Sequence, residues 1–151
     1  MIALSFRNVR TEAVLQTHWD ALVGILADVE IRIDDRLWYS ELHVSLMELA
    51  DAVATWLKQP SPVTFAYSSL DSEEPWLIRF VCLGSCGWRL EAYGEEFADS
   101  GIHSTDEVRE GAERFVAAVR KSLPNPDLVL PLLERETPRY SELLSLWQLV
   151  N

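Results

Sequence analysis

The stretch WLIRFVCLGSCGWRLEA, residues 76–92, decides the fold prediction because apolar and polar side chains alternate on both sides of a glycine-containing turn. Alternate apolar residues share one face of each segment: Trp76, Ile78, Phe80 and Cys82 on the first, and Trp88, Leu90 and Ala92 on the second. A loop at residues 84–86 produces three core-face pairs: Cys82 with Trp88, Phe80 with Leu90, and Ile78 with Ala92. The same register sets Arg79 opposite Glu91 on the other face, where opposite charges attract across strands. This stretch therefore predicts an antiparallel hairpin.

An earlier hairpin is predicted from the same kind of alternation at residues 23–33. A three-residue turn after Ile33 pairs Leu37 with Ile33 and Tyr39 with Ile31. This pairing keeps the apolar residues of both strands on the core face.

Each hairpin is followed by a sequence that is typical of a helix start. Ser45 and Glu48 form one capping box, and Ser104 and Glu107 form another; each precedes apolar residues at helical spacing. After residue 124, the pattern predicts a helical C-terminal tail. We therefore predict a single α+β domain over residues 1–151, with an antiparallel sheet of about five to six strands and helices packed on one face.

Composition excludes several classes of protein. The chain has 151 residues, with 24 acidic and 13 basic side chains and a net charge of −11. This charge argues against nucleic-acid binding, which needs lysine and arginine at phosphates. The hydrophobic content of 48% argues against a disordered acidic chain. With no signal-peptide pattern, no apolar run long enough to cross a bilayer and two cysteines, we expect a cytoplasmic protein.

Catalytic and cofactor motifs are not found in the sequence. Cys82 and Cys86 have no second ligand pair at zinc spacing, so we expect no metal and two free thiols. Neither a nucleophile elbow nor a phosphate-binding glycine loop occurs. We therefore predict no enzymatic activity and no cofactor. A small enzyme that uses Cys86 or a pair of carboxylates stays open as an alternative, and it requires a pocket with a perturbed titratable group.

The negative charge is concentrated in residues 61–100, where seven acids and two arginines give a net charge of −5. The second hairpin brings the segment that enters it and the segment that leaves it to one edge, because antiparallel strands begin and end together. We predict a partner-binding surface at this edge, consisting of Asp71, Glu73, Glu74, Trp76, Glu95, Glu96 and Asp99. Such a surface attracts a basic protein partner. An acidic surface that only keeps the chain soluble is the alternative.

A small, acidic α+β chain with six tryptophans, Trp76 among them, and two acidic loops at residues 71–74 and 95–99 resembles the immunity proteins of bacterial polymorphic toxin systems. The resemblance implies a non-catalytic inhibitor that binds and neutralises a basic toxin. A bacterial scaffold or regulatory domain that acts through homodimerisation is the alternative.

Overall fold

The computed structural model describes residues 1–12, 14–94 and 99–123. Within these residues the chain is an α+β protein with six strands and three α-helices. The strands are β1 (Ile2–Thr11), β2 (Ile25–Ile33), β3 (Arg36–Ser45), β4 (Phe65–Tyr67), β5 (Ile78–Cys82) and β6 (Trp88–Ala92). The helices are α1 (His18–Gly24), α2 (Leu46–Leu57) and α3 (Thr105–Ser122). The predicted helical tail lies outside the described residues.

The strands form two antiparallel sheets, β1-β2-β3 and β4-β5-β6, so the prediction of a single sheet is corrected. The reason lies in the connection between the sheets. β3 ends at Ser45 and continues directly into α2, whose 12 residues advance the chain by roughly 18 Å. β4 therefore begins away from the edge of β3 and pairs with β5 instead.

The second hairpin forms in the predicted register. Cys82 faces Trp88, Phe80 faces Leu90, Ile78 faces Ala92 and Arg79 faces Glu91, as the sequence predicts. At the end of its turn, Gly87 has a φ of 105°, and a Cβ on it would lie 2.6 Å from the His103 carbonyl oxygen. A glycine is needed there because residues near His103 return alongside β6 and bridge to Trp88.

The first hairpin differs from its prediction in register. Tyr39 faces Ile31 as expected, but Ile33 faces Arg36 and Leu37 faces Arg32. The turn has two residues, Asp34 and Asp35, with φ of 49° and 63°. Both residue types tolerate this left-handed region, which two-residue hairpin turns favour. The register then shifts between Ile31 and Arg32, and this irregularity restores the pairing of Tyr39.

The start of β2 was also predicted too early, because residues 18–24 form α1. The Thr17 side chain accepts a hydrogen bond from the Asp20 amide, and the Asp20 carboxylate accepts one from the Thr17 amide. This capping box is visible in the sequence as a threonine followed three residues later by an acid.

α2 is the central element of the core. Ten of its twelve residues are buried, so the helix is covered on nearly all sides. The Trp56 ring lies 5.5–5.9 Å from the rings of Phe65, Phe80 and Trp88, which are all residues of the second sheet. α3 packs beside α2 and against β1, and its buried residues include the predicted apolar stripe.

Candidate functional site

An acidic cleft of about 330 Å³ lies between the end of β3 and the segment that follows β4. Its walls carry four carboxylates, from Glu41 on β3 and from Asp71, Glu73 and Glu74 in the loop between β4 and β5. His43, whose φ of 60° places it in the left-handed region, also lines the cleft. The site therefore lies where the two sheets approach each other.

None of these four carboxylates forms an ion pair with a described residue. Glu41 accepts a hydrogen bond of 3.1 Å from the Tyr39 hydroxyl, which carries no charge. Uncompensated negative charges within one cleft repel each other and produce a local negative potential.

Carboxylates elsewhere on the sheets are compensated by arginine. Glu30 lies 3.3 Å from Arg7 and 3.4 Å from Arg32. Glu91 receives hydrogen bonds from both Arg79 and Arg89. Burial opposes ionisation of Glu91, but these two guanidinium groups keep its pKa below the usual range. Among the described residues, arginines thus pair with the carboxylates of the sheet faces and not with the four carboxylates of the cleft.

Tyr67, at the end of β4, lies beneath the acidic loop and is only 1% exposed. Its hydroxyl group is closed off from solvent and interacts with the Ser69 side chain and with the charge of Glu48. Burial raises the pKa of this phenol well above its usual value, so the hydroxyl stays neutral.

Glu48, in the first turn of α2, is the second buried polar group at this site, with 0% exposure. Its Oε1 accepts a hydrogen bond of 2.7 Å from the Leu70 amide. Burial raises the pKa of Glu48 to about 7, and the nearby charge of Asp71 acts in the same direction. Glu48 therefore takes up and releases a proton near neutral pH.

The structure brings together only part of the predicted partner-binding surface. Asp71, Glu73 and Glu74 are exposed and share the acidic cleft. Asp99 precedes Ser100, whose hydroxyl binds the Leu90 amide, so Asp99 lies beside β6 at the opposite edge of the second sheet from β4. Its carboxylate accepts a hydrogen bond from the Gly101 amide. The predicted residues Glu95 and Glu96 lie outside the described residues.

Trp76 contacts its own sheet and does not line the cleft. The Arg79 guanidinium lies 3.8 Å above its ring, and the Tyr93 ring lies edge-on at 5.2 Å. The Tyr93 amide also binds the Leu77 carbonyl, so the chain does enter and leave the second hairpin at the same end.

Sequence reasoning missed Glu41, Glu48 and Tyr67 as residues of this site. Glu48 was assigned to a helix cap, although its neighbours along α2 are Leu46, Met47, Leu49 and Ala50. A carboxylate within a nearly continuous apolar run is typical of a buried position. Tyr67 carried no comparable signal, because an aromatic residue on a strand usually belongs to the core.

The described residues also include a second cleft and two cysteines. A second cleft, of about 380 Å³, lies between α2 and β4 and is lined by Trp56, Phe65 and Tyr67 among others. Cys82 is half-buried and Cys86 is exposed, and both are free thiols. Across residues 1–12, 14–94 and 99–123, no three histidine, cysteine or acidic side chains are grouped to hold a metal ion. Over the same ranges, no helix is both long and apolar enough to span a membrane.

The fold and the cleft together define an α+β domain with an acidic cleft between two small three-stranded sheets. A family model described as a domain of unknown function, DUF7878, matches residues 2–125, so the chain belongs to this family. No curated protein and no solved structure matches the chain.

Proposed function

We propose that this chain is a non-catalytic protein-binding domain that captures a basic partner at the acidic cleft. Its mode of action is that of an immunity protein that neutralises a basic bacterial toxin. The observation that carries the proposal is the set of four cleft carboxylates that form no ion pair with any residue of the described ranges, whereas the other sheet carboxylates contact arginine.

The physical argument concerns the free and the bound states of the cleft. In the free protein, Asp71, Glu73 and Glu74 are close in sequence and share one wall, so their charges repel. A cationic partner removes this repulsion and gains from the local potential, which raises the association rate and selects against acidic partners. An acidic surface kept only for solubility needs no concave shape and no buried polar floor.

A second candidate function, an acid–base enzyme, is favoured by one observation. Glu48 has a pKa of about 7 and lies near Asp71, which is the arrangement of two carboxylates in contrasting environments. However, Glu48 is fully buried and does not line the cleft, so a substrate in the cleft would not contact it. Partner binding therefore has the stronger support.

The test begins with capture of the partner from the native organism and then measures its association with the purified chain by stopped flow. Reversal of Glu73 and Glu74 to lysine is expected to slow association by about tenfold or more at low salt. Reversal of Glu110 and Glu113, two exposed glutamates on α3, is the matched control. An association rate that is unchanged by the cleft reversal would contradict the proposal.

The inhibitory role has its own readout. Expression of the captured partner in a host cell should arrest growth, and co-expression of this chain should restore it. The Glu73→Lys/Glu74→Lys variant should restore growth less well than the α3 control. A partner that does not impair growth would remove the toxin from the proposal and leave only the binding.

A further inference from the structure

We infer that the partner adds an extended segment of its chain as a further strand along the unpaired edge of β4, in the groove between β4 and α2. The inference deepens the proposed function, on which it rests for the identity of the partner as a basic protein. The groove is a second contact surface that adjoins the acidic cleft, and it can be tested with a synthetic peptide.

The groove, of about 380 Å³, borders six consecutive residues, 63–68, which include all three residues of β4. Neighbouring side chains of a strand lie on opposite faces of the sheet, so a hollow over one face would contact only alternate residues. Phe65 and Tyr67 are buried and Ala66 is exposed, in agreement with this alternation. The groove therefore runs along the edge of β4 and not over one face of the sheet.

Two hydrogen bonds identify the residues of β5 whose backbone groups face β4. The Leu77 carbonyl accepts one from the Tyr93 amide, at the end of β6, and the Cys82 amide donates one to the Thr64 hydroxyl, just before β4. In antiparallel sheets the backbone groups of successive residues point to opposite edges of their strand. The odd-numbered residues of β5 therefore bond to β6, and the even-numbered residues bond to β4.

The backbone groups of Ala66 consequently lie at the groove. Phe65 and Tyr67 face the even-numbered residues of β5, and the Tyr67 carbonyl accepts a hydrogen bond from the Leu77 amide on the same side. The N–H and C=O of Ala66 point the other way. β4 is the last strand of its sheet, and among the residues that the structure describes none hydrogen-bonds to either group. An unpaired donor and acceptor at a strand edge are a template for another extended chain.

The wall opposite β4 determines which side chains the added strand can carry. It is one face of α2, where Ala52 and Trp56 supply apolar surface. At one end, the Trp56 indole nitrogen donates a hydrogen bond of 2.7 Å to the Val63 carbonyl and holds the two walls together. Alternate side chains of an added strand point to the same face, so apolar residues at alternate positions fit this wall.

Charge at the other end of the groove selects a basic partner. After Ser68 the chain continues into the loop that carries Asp71, Glu73 and Glu74, so a strand that extends past β4 brings its end residue to these carboxylates. A basic residue is attracted there. A second copy of this chain fits less well, because each copy carries a net charge of −11 that opposes association.

The experiment is an NMR titration of the full-length ¹⁵N-labelled chain with acetyl-Arg-Val-Thr-Val-Arg-amide. Arginine at both ends places one cation near the acidic loop in either strand direction. We expect saturable shifts at the amides of residues 51–59 and 63–68, and hydrogen exchange of the Ala66 amide should slow by about tenfold or more when the peptide is bound. Shifts confined to residues 69–74, or unchanged exchange at Ala66, would overturn the inference.

Two N-methylated peptides test the main-chain contact. Methylation removes one N–H, and only alternate residues of an added strand donate to β4. Of the peptides methylated at the second and at the third residue, one should lose about tenfold in affinity and the other should stay within about twofold of the parent peptide. Equal effects of the two methyl groups would contradict strand addition.

Variants of the two walls test the groove from the side of the protein. Ala66→Pro removes the N–H that points into the groove, and proline is tolerated where an edge strand has no ladder bond to lose. It should weaken peptide binding by about tenfold, whereas Ala66→Val keeps the N–H and should stay within about twofold of wild type. Ala52→Phe fills the groove from α2, should also weaken binding, and decides the matter alone if Ala66→Pro does not fold. Wild-type affinity in every folded variant of this pair would overturn the inference.

The outcomes separate this inference from the proposed function. If the partner associates in a charge-dependent manner but the peptide does not bind along residues 63–68, strand addition is wrong and the basic partner remains. If the peptide binds as expected but no charge-dependent partner exists, strand addition stands and the proposed function fails. Exchange at Ala66 that slows with rising protein concentration, without peptide, would assign the edge to a second copy and overturn the inference.

Discussion

Glu48 and Glu107 occupy the same position in two capping-box sequences, but the structure places them in different environments. Glu107 accepts a hydrogen bond of 3.0 Å from the Ser104 amide, and this bond keeps its pKa below the usual range. Glu48 instead binds the Leu70 amide, and burial raises its pKa to about 7. The Ser45 side chain makes no cap hydrogen bond to α2. Glu48 thus lies buried beneath the loop that follows β4, whereas Glu107 lies at an exposed helix end.

The contrast extends to the strands that precede the two helices. β5 and β6 pair without a register shift, whereas β2 and β3 shift twice. One shift lies between Ala27 and Val29, opposite His43, whose backbone has a positive φ. Asp28 stabilises this irregularity by accepting hydrogen bonds from Asn8 and from the His43 amide. Departures from local sequence rules often occur at functional sites, and here they adjoin the cleft.

The largest expected effect concerns the pH dependence of stability. The pKa of Glu48 is raised from 4.5 to about 7 in the folded protein, so its contribution is fully present below pH 4.5 and is lost as pH rises through 7. Glu48→Gln should therefore be more stable than wild type at pH 9, by up to roughly 3 kcal/mol, and similar to it near pH 4.5. Urea denaturation at both pH values measures this difference.

Glu107→Gln is the matched comparison and should behave in the opposite sense. The lowered pKa of Glu107 contributes stability above its ordinary pKa, and this contribution is lost as pH falls. The variant should therefore differ from wild type at neutral pH and converge with it in acid. If both variants had the same pH profile, the two glutamates would not differ as described.

The next effect on stability concerns Glu91, the carboxylate of the second sheet that pairs with two arginines. Glu91 is 8% exposed and is bound by Arg79 and Arg89. Changing both arginines to methionine leaves this charge without a counterion and should lower the free energy of unfolding by about 2 kcal/mol at pH 7. The loss should shrink in acid as Glu91 is protonated, and a pH-independent loss would assign the effect to packing with Trp76.

A smaller effect on stability distinguishes Ser104, before α3, from Ser45, before α2. Ser104→Ala removes a side chain that accepts from the Glu107 amide, so α3 should lose about 1 kcal/mol of stability. Ser45→Ala removes no cap, but it removes a hydrogen bond that lowers the pKa of Glu48. Its destabilisation should therefore grow as pH rises above 7, whereas that of Ser104→Ala should not. Denaturation of both variants at pH 5 and pH 9 distinguishes them.

The smallest expected effect on stability comes from the cleft itself. The variant Asp71→Asn/Glu73→Gln/Glu74→Gln removes charges that have no ion pair among the described residues, so its free energy of unfolding should stay within about 0.5 kcal/mol of wild type. At low salt the variant should be slightly more stable, because repulsion is removed, and added salt should reduce the difference. A clear loss of stability would mean that these carboxylates hold the fold together.

The sequence was sufficient where local pattern and tertiary structure agree. The alternation of residues 76–92 specifies both faces of the second hairpin, and the Ser104–Glu107 box begins α3 as expected. The separation into two sheets was not predictable, because it depends on the direction in which α2 leaves β3. Glu48 and Tyr67 were missed because their roles depend on the loop after β4, which lies more than 20 residues from Glu48.

The most direct test of the central claim is a calorimetric comparison of two variants that lose the same number of charges. One is the cleft variant Asp71→Asn/Glu73→Gln/Glu74→Gln, and the other is Asp106→Asn/Glu110→Gln/Glu113→Gln on the exposed face of α3. With acetyl-Gly-Arg-Gly-amide as ligand, the cleft variant should lose about tenfold or more in affinity, while the α3 variant should stay within about twofold of wild type. Equal losses in both variants would show that only net charge matters and would contradict the account.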